Sequence, residues 1–211
     1  MYVPSAFAAA DAEIESLVDH AGAADLVTFD GPTPVASLIP VIWDRSVPGP
    51  GGRGRLLGHL ALANPQWRGI TPQTVALAIV HGPQAYVSPS WYPAKARHGR
   101  AVPTWNYVTA HLTGPVTVHR DPEWLREVVT RLTRQHEEGR AEPWAVADAP
   151  AGYLRGQLRA IVGIEVAVTT VEGKRKLSQN RSEEDRAGVV TGLRGEPGAG
   201  AGAVADLMAA R

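Results

Sequence analysis

Apolar residues first recur at helical spacing at Ile14, Leu17 and Val18, which predicts a helix from Asp11 to His20. The pattern then changes to short apolar runs punctuated by turn residues. Ala24–Phe29 and Val35–Trp43, divided by Asp30-Gly31-Pro32, read as a hairpin. Ser46–Gly54 is Gly- and Pro-rich and reads as a flexible loop, the least ordered internal segment. Leu56–Leu62 is a third strand with His59 in its middle. Asn64 and Pro65 then announce a short helix, as cap and first helical residue. Thr74–Val80 is a further strand, and Thr104–Thr113 and Val116–His119 extend the sheet on either side of a break at Gly114-Pro115.

Asp121-Pro122-Glu123 opens the strongest helix. Trp124, Leu125, Val128, Val129 and Leu132 form its apolar stripe, and Gly139 stands where a C-terminal glycine belongs. A helix is expected from Pro150 to about Arg159, then a half-buried strand over Ile161–Val171. Ser182-Glu183-Glu184-Asp185 resembles a capping box and opens a helix to about Arg194. Glu196–Gly202 reads as a Gly-rich linker to a short tail helix ending at Arg211. Short strands joined by turns favour a mainly β (α+β) architecture, a closed barrel with peripheral helices. The expected organisation is a barrel domain over 1–172, a basic loop and helix packed on it over 173–194, and a linker with tail helix over 195–211.

The formal charge is zero, but its distribution is uneven. No acid occurs between Asp44 and Asp121, a span that holds Arg45, Arg53, Arg55, Arg68, Lys95, Arg97, Arg100 and Arg120. Such segregation fits either one positively biased cleft or ion pairs made across the fold. Cysteine is absent, which excludes disulfides, thiolate catalysis and thiolate-ligated iron. No Gly-x-Gly-x-x-Gly or P-loop pattern follows directly on any strand, and no spaced His pair or Gly-x-Ser-x-Gly is present, so any chemistry is expected to belong to a bound cofactor. The first residues lack a signal-peptide pattern and no apolar run reaches membrane-spanning length, so a cytoplasmic protein without membrane association is expected.

The densest candidate chemistry lies between His81 and Tyr107. This stretch carries two of the six tryptophans, three of the five tyrosines, Lys95, Arg97 and Arg100, and no carboxylate. Four prolines stiffen it. As a loop, it either receives a planar anionic ligand or caps a barrel end with its aromatics. Ser88 and Ser90 around Pro89 suit a phosphate or a plain turn. His59 is an axial iron ligand, a hydrogen-bond donor to a ligand, or a structural histidine. Lys174–Arg181 is a second basic stretch, a solvated loop or an anion site before a helix.

Gly58-His59 through Asn64-Pro65-Gln66-Trp67, Gly82 to Tyr92, Pro103 to Tyr107 and Lys176 to Arg181, with Met1-Tyr2-Val3-Pro4 ahead of them, resemble the ordered motifs of PaiB-type proteins. That family is commonly labelled FMN-binding negative transcriptional regulators. The resemblance implies an FMN-binding split β-barrel with C-terminal helices, a homodimer with its ligand at the subunit interface, and haem b or FMN as cofactor. By analogy with the haem-dependent piperazate synthases, it implies that His59 is the axial iron ligand and that an amine or hydroxylamine could be the substrate of N–N bond formation. The other implied cofactor contacts are Asn64, Gln66, Trp67, Tyr86, Ser88 and Trp91. Lys95, Arg100, Trp105, Lys176 and Gln179 complete that set. Leu38 stands where many members carry a histidine, so this chain lacks that residue's role. Any regulatory effect is expected to be indirect, since neutral charge and the three acids opening the Ser182 helix argue against direct DNA contact.

Overall fold

The computed structural model describes residues 1–49 and 51–210; Pro50 of the expected flexible loop and Arg211 of the tail lie outside the described residues. The elements are α1 (Asp11–Ala21), β1 (Ala23–Asp30), β2 (Thr33–Asp44), β3 (Arg55–Ala61), β4 (Val75–Val87), α2 (Pro93–His98), β5 (Thr104–His119), α3 (Pro122–Glu137), α4 (Ala151–Arg159), β6 (Ile161–Ala167), β7 (Thr170–Lys176), α5 (Glu183–Gly195) and α6 (Ala199–Ala209). Neighbours in the sheet run β4-β1-β2-β3-β6-β5-β7, and β4 also pairs with β5. The α+β architecture, a seven-stranded sheet with peripheral helices, is as expected.

The chain divides into two compact units. The larger comprises Glu15–Val80 and His111–Val171. Here β1 and β2 form the hairpin through the Asp30↔Thr33 pair, β2 lies on β3, β3 on β6, and β6 on the second half of β5. Leu56, Val166 and Val116 form one row across three strands and are buried. Leu57 points the other way, onto Val128 and Leu132 of α3. Asp121 caps α3 by accepting from the Trp124 amide at 3.1 Å, and Pro122 supplies its first turn without needing a donor.

The smaller unit comprises Met1–Ile14, His81–Ala110 and the chain from Glu172 onward. Ala85 and Val87 of β4 pack on Leu177, on Val189 and Leu193 of α5, and on Val204 and Met208 of α6. The tail helix is therefore part of this core rather than an appendage on a linker, and the linker shrinks to the few residues before Ala199.

Several boundaries differ from expectation. β4 runs on to Val87 because Ala85 and Val87 continue its buried alternation past Gly82 and Pro83. β5 is unbroken because Gly114, without a Cβ, lets the Ala167 carbonyl pass close by, while Pro115 is exposed and Val116 donates to the Thr74 carbonyl at 3.1 Å. The expected strand over Ile161–Val171 is two strands, since Val168 and Thr169 leave the ladder to bond Gly54 and Thr113. The first half of the expected basic loop, Lys174–Lys176, is strand.

Candidate functional site

In the larger unit, β3 pairs His59 with Gly163 of β6, and β6 pairs Gly163 with His119 of β5. Two histidines thus flank one glycine on the face that looks toward α3. A Cβ at Gly163 would overlap the Trp124 ring, so the missing side chain makes room for that indole. The indole also stacks on His119, with centroids 4.1 Å apart and planes 7° from parallel. His119 Nε2 lies 3.1 Å from Glu165 Oε2, and Arg55 pairs with the other oxygen of Glu165 at 3.2 Å.

His59 differs from His119 in having no such carboxylate. Its Nδ1 is buried and has no hydrogen-bond partner among the described residues. Burial holds its pKa below the ordinary 6.5, so the ring is neutral at neutral pH. The unfolded ring takes its proton near 6.5, the folded ring only at lower pH. The associated stability is therefore complete above 6.5 and is lost as pH falls from 6.5 through the folded pKa. Replacing His59 with Phe should remove that component. Thermal unfolding at pH 7.5 and 5 should show a smaller acid-induced drop in His59→Phe than in wild type; equal drops would refute it.

The other residues of the Gly-His…Asn-Pro-Gln-Trp motif are engaged locally. Asn64 accepts from the Gln66 amide at 3.0 Å and donates to Ser37 Oγ at 2.8 Å. The buried Gln66 amide nitrogen lies 2.9 Å from Leu26 O, 3.1 Å from Thr28 Oγ1 and 3.2 Å from Val35 O, tying the short helix Pro65–Gly69 to the β1–β2 hairpin. Trp67 Nε1 donates to Leu62 O at 3.1 Å, and its ring lies under Arg68 and Arg120 at 5.5 and 5.6 Å.

In the smaller unit, alternation sends Ala85 and Val87 inward and Gln84 and Tyr86 outward. It likewise buries Asn106, whose amide donates to Ser178 Oγ at 3.0 Å, and turns Trp105 and Tyr107 to the other side. Tyr86 meets Trp105 edge to face at 6.3 Å, and Trp105 Nε1 donates to Gln84 Oε1 at 3.1 Å. Tyr86 and Trp105 remain 49% and 46% exposed, much of two large rings left uncovered. Lys174 and Lys176 of β7 join them: Lys174 Nζ sits 5.5 Å from the Tyr107 centroid, and Lys176 donates to the Trp105 carbonyl at 2.6 Å and to Thr104 Oγ1. The Lys176 ammonium has its pKa lowered, by burial first and then by Lys174 and Arg181. Glu172, two residues before Lys174, is taken by the Met1 ammonium at 2.6 Å. The result is an exposed edge-to-face pair of rings edged by cations that repel one another, an arrangement an anion relieves.

Of the residues singled out in the sequence, Tyr86, Trp105 and Lys176 come together on this face. Ser88 does not reach it as a free donor, since it caps a single turn by accepting from the Ser90 amide at 3.2 Å. Trp91 spends its ring on α5, where Gly192 leaves the space it fills and Gly188 leaves room for the Trp91 carbonyl. Gln179 closes the turn after β7, accepting from Leu177 N at 2.6 Å and donating to the Arg175 carbonyl. Lys95 and Arg100 are exposed in and just after α2. Sequence reasoning gave Gln84 no role, and it placed Lys174 in a basic loop rather than on the strand that brings it beside Tyr107. It also missed the Trp124–His119–Glu165 cluster, for which a glycine in the middle of an apolar strand was the signal.

Residues 1–170 match the family model described as "Putative FMN-binding domain". The chain is 32% identical over 209 residues to the protease synthase and sporulation protein PAI 2 of Bacillus subtilis, covering 99% of this chain and 96% of that one. It is 31% identical over 186 residues to a protein of Emericella nidulans, covering 75% and 74% of the two chains. Among solved structures it is similar to the FAD and heme binding protein of Mycobacterium smegmatis, with a TM-score of 0.59 at 19% identity over 84% of this chain and 77% of that one. A flavocytochrome of Azotobacter vinelandii gives 0.54 at 13% identity over 84% and 73%. The shared fold is the split barrel, as expected.

Proposed function

Because this chain belongs to the FMN-binding domain family and, on its identity to PAI 2, to the PaiB type, we propose that it binds FMN on the exposed aromatic and basic face of β4, β5 and β7 as a homodimer. The observation that carries this reading is the conjunction of half-exposed Tyr86 and Trp105 with Lys174 and Lys176. An isoalloxazine ring is flat and aromatic and can stack on one of these rings with its edge toward the other, and the ribityl phosphate of FMN is an anion suited to the repelling ammonium groups. A second copy of the chain covers what the flavin leaves exposed. FMN, when bound, supplies one- and two-electron transfer. The chain's own contribution is to hold the ring against Trp105 and Tyr86, to charge the phosphate end through Lys174 and Lys176, and to exclude water from the stacked face.

Haem b is the second reading, favoured by His59, whose neutral imidazole is the state a metal binds. An axial imidazole ordinarily donates its other ring N–H to an acceptor, and His59 Nδ1 has none among the described residues. FMN is therefore placed first, and N–N bond formation on a hydroxylamine belongs to the haem reading alone.

Titrating the purified protein with FMN, riboflavin and haemin tests both. FMN should bind with quenched flavin fluorescence, and Trp105→Ala should weaken FMN and riboflavin alike by roughly 5- to 100-fold, as loss of one stacking platform does. Lys176→Gln should weaken FMN and leave riboflavin unchanged. A Soret band that survives desalting and disappears in His59→Ala would move the assignment to haem. Failure of both cofactors to bind would refute the proposal.

A further inference from the structure

A different part of the larger unit, where β5 ends, α3 begins and α4 ends, holds a cavity of about 380 Å³. Its rim carries Arg120, Arg155 and Arg159, and Leu125, Leu158 and Ile161 form its floor. The volume lies within the range of small-molecule sites, roughly 300–1,000 Å³. Several arginines elsewhere in the chain pair with carboxylates: Arg45 with Asp19, Arg55 with Glu165, Arg131 with Asp44, Arg175 with Glu13. None of the three rim arginines has a carboxylate partner among the described residues.

Two of these charges are placed against local preference. Arg155 and Arg159 are four residues apart on one face of α4, where like charges disfavour a helix. The C-terminal dipole of α4 compensates at Arg159, in its last turn. Arg120 is held over the Trp67 ring, which already carries Arg68 on it. The nearest acid in sequence, Asp121, directs its carboxylate at the amide of Trp124 as the α3 cap. The floor is apolar, with Leu125 and Leu158 buried. Three guanidinium groups above a greasy floor match a molecule that is anionic at one end and apolar at the other.

We propose that this corner binds a small amphipathic anion, a carboxylate or phosphate head held by Arg120, Arg155 and Arg159 with a short alkyl or aryl body on Leu125, Leu158 and Ile161. Isothermal titration of the full chain with butyrate, hexanoate, inorganic phosphate and butyl phosphate tests it. At low salt hexanoate should bind about tenfold more tightly than butyrate, the effect of two further buried methylenes, and butyl phosphate more tightly than phosphate. Which head group binds better identifies the ligand class. The double variant R155Q/R159Q should weaken both heads by at least roughly tenfold, as loss of charge-assisted hydrogen bonds does. Its melting temperature and its affinity for FMN should stay at the wild-type values, which separates this site from the proposed flavin face. Affinity independent of chain length, or unchanged in R155Q/R159Q, would overturn the proposal; if R155Q/R159Q unfolds early, Arg120→Gln is read in its place by the same criteria.

Discussion

Gly163→Ala should destabilise the protein by about 2–3 kcal/mol, the cost of forcing atoms into a filled site, and lower its melting temperature on the order of 5–10 °C. The added methyl group has nowhere to go, because the Trp124 ring occupies that volume over β6. Relief by moving Trp124 would break its stack on His119 and disturb the anchoring of α3, since Trp124 packs beside Leu57, Val128 and Leu132. The test is a double-mutant cycle. Trp124→Leu alone should also destabilise, by lost burial, but Gly163→Ala added to it should cost little. Additive losses would mean that the glycine is not there for the indole.

Gln66 should prove nearly as sensitive, with a pH signature that identifies the cause. Gln66→Leu keeps the bulk and loses the amide donor shared by Leu26 O, Thr28 Oγ1 and Val35 O, at a cost of about 2–4 kcal/mol. Gln66→Glu places a carboxyl beside two carbonyl oxygens, both acceptors. Only the protonated acid can donate there, so its folded pKa should rise above the ordinary carboxylate value of about 4.3. A raised carboxyl pKa means that stability is retained below the unfolded pKa and lost as pH climbs through the folded one. Melting curves between pH 4 and 8, each compared with wild type at the same pH, should therefore show Gln66→Glu falling behind as pH rises while Gln66→Leu keeps a constant deficit. A constant deficit for both would show that the amide donor is dispensable.

These two residues mark where sequence reading works and where it stops. The Asn64-Pro65 signal correctly located the short helix, and the apolar stripe from Trp124 to Leu132 correctly located α3, because both are local in origin. That Gln66 bridges a hairpin some 30 to 40 residues earlier is a tertiary fact with no local trace. Within the stretch from His81 to Tyr107, Thr104–Tyr107 was read correctly as strand, but His81–Val87 was misjudged as loop because Gly82 and Pro83 outweighed a weaker alternation. In the fold both ends of the stretch are strand, which sends Tyr86 and Trp105 to one face. The acid-free block misled in a similar way. Arg45, Arg55 and Arg97 find Asp19, Glu165 and Glu184 once the chain folds, so segregation along the sequence is partly undone in space. Among the cations with no carboxylate partner in the described residues, two groups lie together: Arg120, Arg155 and Arg159 around one cavity, and the ammonium groups beside Trp105.

The smaller unit is stitched from both ends of the chain. The Met1 ammonium holds Glu172, the Ala9 amide donates to the Gly173 carbonyl, and Glu13 pairs with Arg175. Its apolar centre needs Leu177, Val189, Leu193, Val204 and Met208. During synthesis, the larger unit has all its strands and helices once Val171 has emerged, while the first fourteen residues still await partners made last. Tyr86 and Trp105 are translated midway, yet the lysines that edge them arrive only with β7. A ribosome-bound nascent chain therefore has the strands of the larger unit before its aromatic, basic face can form, so premature termination near residue 171 yields a chain without β7 and without such a face.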